Sequence, residues 1–129
     1  MSKDDFEIVR RWYGALGDDA AFCELTHPEI EWAPFEENHT VHHGLDGARR
    51  VVARWSDSWS EYDGEVEEAI DAGEQGVVLV LHVTARGAAS GVHVDVRVYP
   101  HFKTREGKVV YLHEYVDLAD ALKGAGLEH

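Results

Sequence analysis

The residues able to do acid–base chemistry stand out by their setting in the pattern and not by a named motif. Over positions 109–117 the side chains alternate, and the even set is Val110, Leu112, Glu114 and Val116. Glu114 is therefore an ionisable group in an apolar row. It reads either as an edge or mouth carboxylate that reaches water or an arginine, or as a carboxylate inside an apolar cavity. In the second case lost hydration would raise its pKa and make it a usable general base. The segment 76–86 is apolar on both faces up to Leu81 and then sets His82 and Thr84 on one side. His82 reads as a hydrogen-bonded core histidine or as a proton partner or oxyanion donor for Glu114. Were both to project into one cavity, they would form an acid–base couple across the intervening strand, and each would shift the pKa of the other. Tyr13, Trp32, Trp55 and Trp59 could wall a substrate pocket; aromatic residues at helical spacing are equally good core, and Phe6 reads as core alone.

Other reactive residues make weaker patterns. His39, His42 and His43 look like a metal cluster, but the H-x-x-H-H spacing in a loop lacks the helical i, i+4 geometry that sets two imidazoles on one ion. No carboxylate is placed beside them, so no metal is expected. Cys23 falls on an apolar helix face with no activating partner and reads as a buried, inert thiol. The chain has no glycine-rich phosphate loop, no G-x-S-x-G and no dinucleotide fingerprint, so no cofactor is implied.

The elements that must position these residues follow from periodicity. Asp4 and Asp5 offer a cap to a first helix carrying Phe6, Val9, Tyr13 and Leu16, which Gly17 ends. Asp18 and Asp19 cap a shorter helix, Ala20 to Leu25. Ile30 and Trp32 alternate with Glu29 and Glu31 as a short strand closed by Pro34, and 35–44 is a polar loop. A third helix spans about Leu45 to Trp59, with Ala48, Val51, Val52, Trp55 and Trp59 as its apolar stripe. The period then changes from 3.6 to 2, giving strands at 62–72, 76–86, 92–104 and 109–117 separated by glycine-bearing hairpin turns. Asp117 caps a short last helix. Consecutive hairpins argue for an antiparallel α+β sheet, and against a mixed one, wrapped around about three helices. In the strand at 92–104 the even set Val94, Val96, Val98, Pro100 and Phe102 should face those helices.

Composition bounds the rest. The 129 residues suit one domain, at 44% hydrophobic and 29% charged. A net charge of −13 disfavours a nucleic-acid or anionic membrane partner, and Arg49, Arg50 and Arg54 read as one solvated helix face. The single cysteine excludes an intrachain disulfide framework. No signal-peptide pattern opens the chain, and the longest apolar run, Val77 to Leu81, is far short of a membrane span, so a cytoplasmic location is expected. One domain is read over 1–126, with Leu127, Glu128 and His129 resembling the start of a purification tag.

At this point the chain resembles a known family. The opening FEIVRRWYGALGDD-AAFCELTHPEIEW and the helix entry HHGLDGARRVVARWSDSW are similar to the SnoaL-like group of the nuclear-transport-factor-2-like superfamily. The run VVLVLHVTARGAASGVHVDVRVYPHFKTREGKVVYLHEYVDLADAL is similar to that group's sheet and closing helix. The resemblance implies a cone whose sheet and helices enclose a pocket, commonly dimeric through the outer sheet face. It implies cofactor-free chemistry such as polyketide cyclisation, ketosteroid isomerisation or epoxide hydrolysis, although other members only bind ligands. A catalytic Asp of the cyclase and hydrolase branches matches Glu114. The Arg-x-Asp pair of the hydrolase branch is matched to His82 and Thr84, so its relay is absent. Tyr13 matches the isomerases' oxyanion tyrosine, with no match to their protonated Asp.

Together these readings set three alternatives: a cofactor-independent isomerase, cyclase or hydrolase acting on a small apolar molecule with Glu114 as base; a binder of such a molecule; or a dimeric scaffold. A homodimer is expected, because Asp95, Arg97, Tyr99, His101, Tyr111, His113 and Tyr115 make the outer face too aromatic for a merely wet one.

Overall fold

The computed structural model describes residues 3–35 and 40–127. Helix α1 (Lys3–Gly14) is followed by α2 (Asp19–Leu25), β1 (Thr26–Ala33), the two-residue β2 (His42–His43) and α3 (Gly44–Ser58). The long strands β3 (Trp59–Asp71), β4 (Val77–Gly87), β5 (His93–Arg105) and β6 (Lys108–Tyr115) come next, and α4 (Leu118–Gly124) closes the order. The strands form one curved sheet in the order β2-β1-β6-β5-β4-β3. Among the described residues no helix is long and apolar enough to cross a membrane.

The helix starts obey local chemistry. The Asp18 carboxylate accepts from the Ala21 N–H at the head of α2, and Asp117 does the same for Asp120 at the head of α4. Asp5 serves tertiary packing instead: it accepts from the Thr104 hydroxyl at 2.6 Å and so ties α1 to β5. The alternation of β5 holds over its second half, with Val98, Pro100 and Phe102 buried on the inner face, while Val94 is only half-buried and Val96, expected in the same set, is 40% exposed.

Three expectations are corrected. The sheet is mixed, because β1 runs parallel to β6, with Trp32 beside Leu112 and Ala33 beside His113. A helix-to-strand connection from α2 lets β1 enter on that edge without a hairpin, which the run of hairpins after α3 could not reveal. Next, a bulge in β6 sets Lys103 opposite Tyr111 but Thr104 opposite Val109. One extra residue reverses parity below it, so Val109 is fully buried while Val110 is half-exposed. Finally, α3 ends at Ser58, and Trp59 is the first residue of β3.

The core forms against both sheet faces. On the inner face Trp12 is fully buried, with ring centroids 5.2–5.6 Å from those of Tyr13, Phe22, Trp32 and Phe102. The Trp12 indole N–H donates to the Thr26 hydroxyl at 3.0 Å, so its polar atom is satisfied in the interior. On the outer face α4 packs Ala121 and Ala125 onto Val78, with Tyr99, Tyr115 and Leu127 around them. That cover explains why β4 is apolar on both faces at its start. Leu127 thereby belongs to the packing; Glu128 and His129 lie outside the described residues.

Gly76 is where the β3–β4 connection meets β5. Its φ is +92°, and a Cβ there would lie 1.9 Å from the Phe102 carbonyl oxygen. Gly73, in the same connection, has φ +62° but open space around it. Gly76→Ala is therefore expected to cost at least about 2 kcal/mol and Gly73→Ala only about 1 kcal/mol. Urea unfolding of the two variants measures this; equal costs would show that backbone clash with β5 is not the reason for Gly76.

Candidate active site

The space between the helices and the inner sheet face is a pocket lined on one side by Tyr13, Leu16, Val51, Val52 and Trp55 of the helical layer. Trp32, Pro34, Phe35, Tyr62, Leu81, Val98, Pro100 and Glu114 line the other, and Trp12 closes it. About 520 Å³ lies between these side chains out to solvent, but the part open to the centre of a water molecule is about 40 Å³. That is room for roughly three waters or one small compact molecule.

Among the described residues, two donors hold Glu114 at the wall of this pocket. The Trp32 indole N–H donates to one carboxylate oxygen at 3.0 Å, and the Phe35 backbone N–H donates to the other at 3.2 Å. The parallel pairing of β1 with β6 makes this possible, because it sets Trp32 one residue pair from Ala33–His113 and so beside Glu114. Both donors favour the ionised carboxylate. Tyr13 is the second polar group of the pocket. Burial raises its pKa well above 10, and the charges of Glu114 and Tyr62 push it further the same way. Its hydroxyl therefore keeps its proton and can donate it in a hydrogen bond.

Of the residues singled out by sequence, Glu114, Tyr13, Trp32 and Trp55 meet in this pocket. His82 does not. Adjacent strand residues face opposite sides, and the inward residues of β4 are Leu81, Val83 and Ala85. The His82 ring points outward to Asp95, with Nε2 2.6 Å from the carboxylate. The expected Glu114–His82 couple is not formed, because the sheet lies between them. The inner face of β4 beside the pocket is apolar, carrying Leu81, Val83 and Ala85. Trp59 also leaves the pocket: as the first residue of β3 it packs on Leu81, Val83, Ala85 and Val98.

The remaining candidates are resolved locally. His42 and His43 sit opposite Trp32 and Glu31 in a two-residue strand, where neighbours point to opposite faces; His39 lies outside the described residues. Among the described residues no three His, Cys, Asp or Glu side chains gather as a metal site. Cys23 is half-buried, not buried, with its sulfur 4.0 Å from Asp19, whose carboxylate also pairs with Arg49. Residues that sequence reasoning missed are Trp12, Phe35 and Tyr62. Trp12 had a signal, since it follows Val9 at i+3. Phe35 had none, because it contributes a backbone N–H. Tyr62 makes an edge-to-face pair with Trp55, with centroids 4.4 Å apart, and both rings line the pocket and an adjoining groove that carries Arg10 and Asp63.

Burial and nearby negative charge also act on the outer-face tyrosines. The Tyr111 hydroxyl is pushed up to about 12, by burial first and then by Tyr115 and Glu31, and Tyr115 is raised by burial and Asp120. Above pH 10 the unfolded chain loses these protons while the native state keeps them, so stability falls as pH rises from about 10 through about 12. An absorbance titration should show Tyr13, Tyr111 and Tyr115 ionising later than an ordinary tyrosine, with the alkaline loss of stability in that window. Five tyrosines titrating together near 10 would contradict the burial described.

Comparison with known proteins places this arrangement in context. The family model of the SnoaL-like domain matches residues 9–112. No match was found among curated proteins. A candidate SnoaL-like polyketide cyclase from Jannaschia sp. CCS1 is 17% identical with a TM-score of 0.76, covering 100% of this chain and 96% of that one. A protein with a ketosteroid isomerase-like fold from Catenulispora acidiphila, in complex with trimethylamine, is 17% identical with a TM-score of 0.74, covering 98% and 95%. An LEH-like epoxide hydrolase of M. tuberculosis is 14% identical with a TM-score of 0.71, covering 96% and 90%. At these identities the likeness is one of fold, and the matched span supplies the assignment: this chain belongs to the SnoaL-like family.

Proposed function

We propose that the protein is a cofactor-independent acid–base enzyme acting on a small molecule of apolar outline, with Glu114 as general base. The observation that carries this is a carboxylate fixed by two N–H donors at the wall of an aromatic, otherwise apolar pocket. A base must be held in one orientation to take a proton from carbon, and two donors on separate oxygens restrict both rotation and reach. Tyr13 supports the reading as the donor to the oxygen on which charge would develop, because its raised pKa keeps the proton on the phenol. Isomerisation and cyclisation both begin with such a proton abstraction. The relatives called a polyketide cyclase and an epoxide hydrolase, and the one holding trimethylamine, are compatible with a small guest in a pocket of this form.

The test needs no known substrate. Deuterium exchange at the α-carbon of a cyclic enone in D2O, followed by NMR, should be faster with the protein than without it. Glu114→Gln should slow it at least about 100-fold and Tyr13→Phe by about tenfold or more, while Trp32→Phe should lower kcat more than it raises KM. Exchange by Glu114→Gln equal to that of the parent protein would refute the base. Binding without exchange would leave a ligand carrier.

We also infer a homodimer through the outer sheet face and a cytoplasmic site of action. Arg97, His82, Tyr111 and His113 present planar side chains there, and Tyr111 stacks on His113 with centroids 4.1 Å apart. Tyr99 and Tyr115 contribute less than expected, since α4 covers them. Sedimentation at micromolar concentration should give twice the 14.5 kDa chain mass; the mass of a single chain would sink the inference.

A further inference from the structure

We propose that the guest of this pocket carries a positive charge: a small alkylated ammonium, apolar in outline and cationic at its centre. The inference deepens the reading of the pocket but stands whether or not Glu114 acts as a base.

The described lining has six aromatic rings, those of Trp12, Tyr13, Trp32, Phe35, Trp55 and Tyr62, and its one charged side chain is the carboxylate of Glu114. No lysine, arginine or histidine is among those lining residues. Aromatic faces carry negative quadrupole density, which attracts a cation that has shed its water. A carboxylate in the same low-dielectric space adds a Coulomb attraction that needs no hydrogen bond, so a fully alkylated nitrogen can use it. Two of the pocket's indole donors are engaged elsewhere. The Trp12 indole N–H is held by Thr26 and the Trp32 indole N–H by Glu114 itself. Beside the Tyr13 hydroxyl, a guest therefore meets mainly ring carbon and negative charge. The surroundings act in the same direction, since a chain with a net charge of −13 draws cations towards its clefts and repels anions. The small clear volume selects a compact ion. A neutral guest would gain the same apolar contact but neither electrostatic term, and an anionic guest would lose by both.

The test compares three compact molecules of similar outline: tetramethylammonium, neopentyl alcohol and pivalate. Each is titrated at equal ionic strength, followed by calorimetry and by the indole N–H resonances of Trp32 and Trp55. Tetramethylammonium should bind at least about tenfold more tightly than neopentyl alcohol, with pivalate weakest. Glu114→Gln should erase most of the preference for the cation while neopentyl alcohol binds as before. Trp55→Leu should weaken the cation more than the alcohol. The proposal falls if the alcohol or pivalate binds as tightly as the cation, or if none of the three moves the indole signals. Equal binding of cation and alcohol would overturn the charge preference alone and leave base catalysis to the exchange experiment; loss of exchange in Glu114→Gln with no cation preference would separate the two in the other direction.

Discussion

The hydrogen bond between the Trp32 indole and the Glu114 carboxylate is the constraint around which this molecule is arranged. A carboxylate among aromatic rings must be given donors or it takes up a proton. The indole comes from 82 residues away. It arrives because β6 pairs with β5 on one side and, in parallel, with β1 on the other. The same pairing delivers the Phe35 N–H just past the end of β1. Loss of the β1–β6 register by one residue would turn Trp32 to the outer face and away from Glu114.

The rest of the fold can be understood as the means of holding that pair in an apolar enclosure. Trp12 sits at the meeting of α1, α2, β1 and β5 and touches a ring from each neighbouring element. Its own N–H is satisfied by Thr26, whose hydroxyl in turn donates to the Phe22 carbonyl at 2.6 Å. Around Trp12 the wall is therefore apolar in its surface while the indole N–H and the Thr26 hydroxyl are both hydrogen-bonded.

The outer face follows different chemistry. There His82 meets Asp95, Arg97 meets Glu67 and His113 meets Glu31, in half-exposed pairs that water screens. His101 is the exception, fully buried on that face. Its Nε2–H donates to the Gln75 carbonyl, and burial, with Lys103 and His113 nearby, holds its pKa below the ordinary value. The neutral ring is thus the native form. His82, which sequence alone could treat as catalytic, belongs to one of these outer-face pairs, whereas the ionisable groups that line the pocket are Glu114, Tyr13 and Tyr62.

Much of this was legible in the residues themselves. Alternation in β5 named Val98, Pro100 and Phe102 as buried, the helical stripes named Val9, Ala48 and Val51, and an acidic residue among apolar neighbours in β6 named Glu114. These are local properties, governed by a period of 2 or 3.6 and by the reluctance of a carboxylate to leave water. The family resemblance rested on the same scaffold positions. What periodicity could not supply was anything set by pairing across the chain. The bulge at Val110, the parallel entry of β1 and the end of α3 before Trp59 each change which side a residue faces. His82 shows why this matters. Its neighbours are apolar both before and after it, because α4 covers one face of β4 and the pocket lies on the other, so composition alone cannot say which side is inward. Only the tertiary structure decides that, through which element packs on which face; the sequence determined by itself the strands, their alternation and the carboxylate that had to find its donors.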